Sequence, residues 1–239
     1  MSQSSVQLQD NYRVFLGENY SGLKLARLVS FGCFKRGFDL TVASVSLILL
    51  SPLFLIVAGA IKLDSPGPVF FRQKRTGKKG KVFNMYKFRS MVADNDIRDE
   101  SCSDKYTRVG KFIRRTSIDE LPQLINVVRG QMSFIGPRPW IVEYWENMNE
   151  MERGRAAVRP GITGLAAAKG RNGLNVFEKI GYDLEYVRNF SFRQDVKVVF
   201  LTIRTVFKGD EVDAGKGRIH SDIEDLKKRN KKETAKRKS

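Results

Sequence analysis

Asp119 and Glu120 stand side by side at the start of an apolar-periodic stretch, four to five residues after Arg115. Adjacent carboxylates next to fixed positive charge can divide a reaction between them. One can attack phosphorus and form an aspartyl-phosphate, while the other holds Mg²⁺ so that a carboxylate can approach a charged diphosphate. Arg114 and Arg115 supply charge just upstream, a helix N-terminus favours anions, and Gly136-Pro137-Arg138-Pro139 sets another guanidinium in a rigid loop suited to forked phosphate contact. The same residues have a plainer use. Ser117-Ile118-Asp119-Glu120 has the form of a capping box, in which Ser117 and Glu120 satisfy free backbone donors, with Pro122 making the helix start irregular. Such a cap is more often structural than catalytic, and from these residues alone both uses stand.

The remaining candidates are weaker. Asp94, Asp96, Asp99 and Glu100 lie in a polar stretch without apolar period, and Asp94-Asn95-Asp96 lacks the Gly and distal Glu of a Ca²⁺ loop. Glu143, Glu146, Glu150 and Glu152 follow helical spacing and are expected on an exposed face. The one histidine, His220, sits in a charged tail, which leaves no His-based nucleophile relay. Two cysteines, Cys33 and Cys102, are too few and too far apart for a Cys/His zinc site or a disulfide framework. Gly77-Lys78-Lys79-Gly80-Lys81 is followed by Val82, so it is no Walker A loop, and no GxGxxG turn occurs.

These residues must be positioned by a basic chain of mixed structure. Its 239 residues include 43 Lys plus Arg against 26 Asp plus Glu, a formal charge of +17. Arg72 to Arg89 holds eight basic residues and no acid, a patch that attracts phosphates, although a solvated strand face accounts for most of these side chains. Strands are expected over Val69–Gln73 and Val82–Phe88. Helices are expected over Tyr106–Arg115, Ile118–Val128, Tyr182–Val187 and Asp195–Phe207, with ordered loops at Ser133–Pro139 and Arg159–Gly164. Lys227 to Lys238, with eight basic residues, reads as a flexible tail.

Leu40 to Ile61 runs 22 residues without a charge. As one helix it would reach ~33 Å, enough for a hydrocarbon core of ~30 Å. Ser51-Pro52 interrupts its middle, and basic residues (Lys24, Arg27, Lys35 and Arg36, then Lys62, Arg72, Lys74 and Arg75) flank both ends. A hairpin entering and leaving one face satisfies both flanks, and a kinked spanning helix is the open alternative.

An ordered series of motifs resembles the bacterial sugar transferase family, the monotopic phosphoglycosyl transferases. It begins with Lys35-Arg36-Gly37-Phe38-Asp39, Ser51-Pro52, Gln73-Lys74-Arg75-Thr76-Gly77 and Tyr86-Lys87-Phe88-Arg89-Ser90-Met91. It continues with SIDELPQLINVVRGQMSFIGPRP from Ser117 to Pro139 and Val158-Arg159-Pro160-Gly161-Ile162-Thr163-Gly164. The resemblance implies that Asp119 is the nucleophile taking a sugar phosphate from a UDP-sugar with release of UMP, and that Glu120 binds Mg²⁺. It implies that polyprenyl phosphate then attacks the aspartyl intermediate. Lys87, Arg114, Arg138 and Arg171 match basic positions expected near the phosphates, and Ser51 and Pro52 match the break of a re-entrant helix.

The expected fold is therefore α+β and mostly helical: one N-terminal re-entrant membrane helix plus a small cytoplasmic catalytic domain with a β-hairpin and interfacial helices. The expected parts are an N-terminal extension over 1–34, the membrane helix over 35–63, the catalytic domain over 64–209 and a basic flexible tail over 210–239. The expected place is the cytoplasmic face of a bacterial inner membrane, at the first step of exopolysaccharide, capsule, O-antigen or other glycoconjugate assembly. The expected partners are UDP-sugar, polyprenyl (undecaprenyl) phosphate and the membrane, with no nucleic acid and a homodimer left open. Where the family commonly reads Gly-Trp-Ala-Gln-Val-Asn-Gly-Arg-Asn, this chain has Gly164-Leu165-Ala166-Ala167-Ala168-Lys169-Gly170-Arg171-Asn172, a departure that points to an altered nucleotide or sugar pocket. Two rivals are a degenerate family member acting as a scaffold and a non-enzymatic basic protein that binds anionic lipid or nucleic acid.

Overall fold

The computed structural model describes residues 22–92, 106–170, 173–207 and 218–238. It opens with two helices, α1 (Gly22–Leu49) and α2 (Ser51–Asp64). They are bent by 60° at Leu50, and among the described residues no single helix is long and apolar enough to cross a membrane. The break follows from Ser51-Pro52. Proline has no N–H to continue α1 but suits the first turn of α2, and the Ser51 hydroxyl donates to the Ile48 carbonyl at 2.8 Å. One side of the pair joins the core: Ala43 packs with Phe83, Met85, Leu124 and Val127, while Val57 and Ile61 pack with Phe88 and Ile113. The other side is uncovered, with Ile48, Leu49, Leu55 and Ile56 between 69% and 75% exposed.

Lys35, Arg36 and Asp39, just before the apolar run, serve as anchors. Lys35 forms a buried ion pair with Asp195, whose other oxygen accepts from the Tyr186 hydroxyl at 2.6 Å. Arg36 donates to the carbonyls of Val127 (2.5 Å) and Val128 (2.9 Å), and Asp39 accepts from the Phe134 N–H at 3.4 Å. One turn of α1 thus grips three separate parts of the domain.

Two antiparallel strands follow, β1 (Phe70–Thr76), which runs three residues past the expected Val69–Gln73, and β2 (Val82–Phe88), which lies where expected. The turn between them uses left-handed backbone at Lys79 and Gly80. A β-carbon at Gly80 would stand 2.6 Å from the Trp145 ring. Next come α3 (Arg108–Arg115) and, after a 3₁₀ turn over Ile118–Glu120, α4 (Gln123–Val128). Asn126, fully buried on α4, closes the outer edge of β2: its amide accepts from the Tyr86 N–H and donates to the Asn84 carbonyl. This contact fixes the segment carrying Asp119 and Glu120 against the strand carrying Lys87.

The two expected loops each contain a short strand. β3 (Ser133–Ile135) and β4 (Gly161–Thr163) pair in parallel, their backbones brought together by glycines. A β-carbon on Gly164 would fall 2.1 Å from the Gly136 carbonyl oxygen. Between the strands, α5 (Val142–Glu146) and α6 (Glu150–Arg153) replace the single exposed acidic face. Glu152 is buried, closing a capping box with Asn149 and pairing with Arg229.

The largest hydrophobic cluster joins Trp140, Tyr144 and Trp145 to α7 (Leu165–Gly170), α8 (Val176–Arg188), α9 (Phe192–Phe207) and α10 (Arg218–Lys238). On α9 a row of apolar side chains, Phe192, Val196, Phe200 and Ile203, faces outward. The segment read as a flexible tail corrects to a helix from Arg218. Ile223 and Leu226 are buried, and Asp222 accepts from the Tyr144 hydroxyl at 3.0 Å. Apolar residues three and four apart dock it, a period masked in the sequence by the surrounding charge.

Candidate active site

The capping box at Ser117 does not form. Ser117 has left-handed backbone (φ 58°) and makes no capping hydrogen bond, and Asp119 and Glu120 lie in the 3₁₀ turn before α4. The plainer use of the motif is thereby removed. Pro122 stands at the cap of α4, so the irregular start extends the turn and presents both carboxylates beside the cations.

Glu120 is locked in place. Its Oε1 accepts from Lys87 Nζ at 2.6 Å and from Arg138 Nη2 at 3.1 Å. Burial alone would raise its pKa, but Arg138 and Lys87 outweigh burial and hold it down at about 2. Asp119 is treated differently. It is 6% exposed and accepts no hydrogen bond among the described residues, and its near charged neighbour, Lys87, stays 3.9 Å away. Burial pushes its carboxyl up to about 6, Glu120 adds to the rise, and Lys87, Arg114 and Arg138 oppose it. Arg114 is half-buried, with its guanidinium over the Tyr106 ring at 4.9 Å.

The loop carrying Arg138 is held by its own backbone carbonyls. Pro137 O accepts from the Gly161 N–H (3.0 Å), Arg138 O from Arg155 (2.6 Å) and Pro139 O from Arg75 (3.2 Å). Trp140 O accepts from both the N–H and the hydroxyl of Thr76. Arg155 is itself buried, bound through two nitrogens to Asp183 and stacked 4.4 Å from the centre of the Trp140 ring. Sequence reasoning did not single out Arg75, Arg155 or Asp183 as site residues. Arg75 lay within a recognised motif. A buried Arg–Asp pair 28 residues apart has no spacing signal.

Of the expected site residues, the structure brings Asp119, Glu120, Lys87 and Arg138 together, with Arg114 adding its field; Ser51 and Pro52 stand apart at the helix bend. Arg171 lies outside the described residues. The departure at Leu165 to Lys169 forms α7, where Leu165 is fully buried in the large cluster and Lys169 reaches the Tyr182 ring. Leu165 therefore serves the core.

Among the described residues the site combines one buried carboxylate that accepts no hydrogen bond with one fixed carboxylate and a surplus of cations, including Arg75, whose pKa burial and Arg138 bring down to about 10. Such a site suits a diphosphate. Among the described residues no group of three acids, histidines or cysteines could hold a metal by itself. Mg²⁺ commonly uses one or two protein carboxylates together with substrate phosphates, and the Asp119–Glu120 pair fits that donor set.

Residues 30–209 match the family model described as Bacterial sugar transferase. The chain is 48% identical over 188 residues to the UDP-glucose:undecaprenyl-phosphate glucose-1-phosphate transferase of Klebsiella pneumoniae, covering 74% of this chain and 40% of that protein. It is 41% identical over 204 residues to a UDP-N-acetylgalactosamine-undecaprenyl-phosphate N-acetylgalactosaminephosphotransferase of Aeromonas hydrophila, covering 81% and 48%. It is 36% identical over 194 residues to the exopolysaccharide production protein ExoY of Sinorhizobium fredii, covering 73% and 86%. The chain thus spans less than half the length of the first two relatives.

Proposed function

The chain belongs to the bacterial sugar transferase family, and from that premise we propose that it transfers a sugar-1-phosphate from a UDP-sugar to polyprenyl phosphate. The observation that carries this reading is the asymmetry of the adjacent acids: Glu120 is held by Lys87 and Arg138, while Asp119 is buried, without a hydrogen bond among the described residues, and raised to about 6. Its oxygens are therefore available for attack once ionised, and a carboxylate stripped of solvent and hydrogen bonds is a stronger nucleophile than a hydrated one.

In this reading an Asp119 oxygen attacks the phosphorus bearing the sugar, the bond to the bridging oxygen breaks, and UMP leaves with that oxygen and its electron pair. An oxygen of polyprenyl phosphate then attacks the same phosphorus, breaks the acyl–phosphate bond and regenerates the Asp119 carboxylate. Arg138 and Lys87 stabilise charge on the phosphate oxygens, and Arg114 adds to the field. Glu120, with Asp119 beside it, would hold Mg²⁺. When bound, the ion neutralises diphosphate charge and polarises a phosphoryl oxygen.

The bent α1–α2 pair, with its uncovered apolar side, supports a hairpin that dips into one leaflet, here the cytoplasmic one, with the outward row on α9 lying at the same interface. That arrangement keeps the lipid acceptor and the site in one plane.

The test is UMP release from a panel of UDP-sugars with undecaprenyl phosphate and Mg²⁺, beside a trapping assay with radiolabelled sugar and no acceptor. Label retained on wild type and absent from Asp119→Asn is expected. UMP formation that needs acceptor, with no trapped label, would sink the two-step route. Failure with every donor would sink the activity.

A further inference from the structure

A second group of cations lies away from the carboxylates, where α1 meets the domain. A small, open recess lies there between α1, the turn of the β-hairpin and β3, lined by Lys35, Asp39, Lys78, Ser133, Arg159 and Phe190. It lies at the turn end of the hairpin, about 17 Å along β2 from Lys87 by strand rise.

The charges there do not balance. Lys35 is used by Asp195, and Arg36 by the carbonyls ending α4. Arg159 donates through Nε to the Gly130 carbonyl at 3.0 Å, and no carboxylate pairs with its guanidinium among the described residues. Lys78 is half-buried, and its ammonium has no hydrogen-bond or carboxylate partner among the described residues. Four cations therefore share two carboxylates, Asp39 and Asp195. Burial first, then Arg159 and Lys79 beside Lys78 and Arg36 beside Arg159, draw both cations below their ordinary pKa values, the mark of partly desolvated cations short of counter-charge. Gathering half-buried cations in one recess is costly unless an anion joins them.

The position of the recess bears on the source of that anion. Phe34 and Phe38 of α1 are 67% and 60% exposed, and the uncharged run begins at Leu40, immediately after the Asp39 that lines the recess. The recess therefore stands at the level where exposed apolar surface begins.

We infer that this recess is a second anion site, in which Lys78 and Arg159 bind a phosphate group at the membrane boundary, separate from the carboxylate site. The shared chemistry is a phosphate anion. Its two sources are a phospholipid headgroup and soluble phosphate.

Native mass spectrometry of the full chain in detergent tests this with short-chain phosphatidylglycerol, short-chain diacylglycerol and inorganic phosphate as probes. Wild type is expected to retain one phosphatidylglycerol that Lys78→Gln weakens about fivefold, the scale of one well-placed lysine near an anionic headgroup. Lys81→Gln, an exposed lysine of the same hairpin, should leave retention unchanged, and Lys78→Gln should keep wild-type UMP release. Competition by inorganic phosphate at equal concentration would support the site and assign it to soluble phosphate. Equal retention of diacylglycerol, equal loss in Lys81→Gln or no loss in Lys78→Gln would overturn the inference. The Lys78 variant suffices if Arg159→Gln, which also loses the Gly130 contact, fails to fold.

Discussion

Lys87 Nζ lies 2.6 Å from Glu120 Oε1 yet 3.9 Å from Asp119 Oδ2. One ammonium thus holds one carboxylate by a hydrogen bond and acts on its neighbour only through its field. With burial dominating at Asp119 and Arg138 joining Lys87 at Glu120, the two acids part to pKa values of about 6 and about 2.

Asp119→Asn is expected to lower turnover at least about a thousandfold, as loss of a nucleophile does, and also to raise thermal stability at neutral pH. The Asp119 carboxyl is raised from 3.8 in the unfolded chain to about 6 in the fold, so the folded state holds the proton more tightly. Stability from this group is present at low pH and falls as pH rises through that window. The gain from Asn, on the order of 1–3 kcal/mol at neutral pH, should therefore vanish near pH 4. Thermal melts of both proteins from pH 4 to 7.5 check the sign.

The pH–rate profile of the wild type should lose activity on the acid side with a midpoint near the Asp119 value of about 6. Lys87 lowers that value, so Lys87→Met should move the acid limb to higher pH as well as slowing the reaction. An unmoved limb would show that Asp119 does not control the profile.

Arg155 acts on the site through the Arg138 carbonyl. Arg155→Lys keeps the charge but loses the fork and the stack on Trp140. It is expected to cost roughly 100-fold in kcat/KM for the donor, the scale of a small misplacement. Arg155→Met alone strands Asp183 and should destabilise by about 3–5 kcal/mol. Joining it to Asp183→Leu should restore most of the melting temperature while activity stays low, which separates positioning from folding.

Exposed Cys33 gives a topological reporter. In a Cys102→Ser background carrying Lys62→Cys, an impermeant maleimide should reach both thiols from the same side of sealed vesicles. Adding Pro52→Leu removes the ring that stops α1 and should place the two positions on opposite sides in part of the population. Opposite-side labelling before that change would rule out the hairpin.

Much of this arrangement was legible in local pattern. The strands of the β-hairpin announce themselves by their composition and turn, and Lys87, Asp119, Glu120 and Arg138 sit in motifs that carry their own type and order. What was hidden depends on distant partners. Lys35 and Arg36 read as membrane-flanking charge because nothing local reveals Asp195 or the end of α4. β3 and β4 have three residues each, too few to alternate, and exist because Gly136, Gly161 and Gly164 let two backbones meet. The buried Ile223 and Leu226 of α10 and the Arg155–Asp183 pair were hidden for the same reason.

The grip of α1 on the domain also sets a height. Asp39 is the last of the charged anchors, and the bend at Leu50 comes eleven residues later. A helix rises about 16 Å over that interval, close to half of a ~30 Å hydrocarbon core. The count of residues between clamp and bend therefore works as a ruler. Inserting or deleting one residue there would shift the tip by about 1.5 Å and turn it by about 100° relative to the carboxylates. In the proposed hairpin, reach would therefore be written in chain length rather than set by the surrounding lipid.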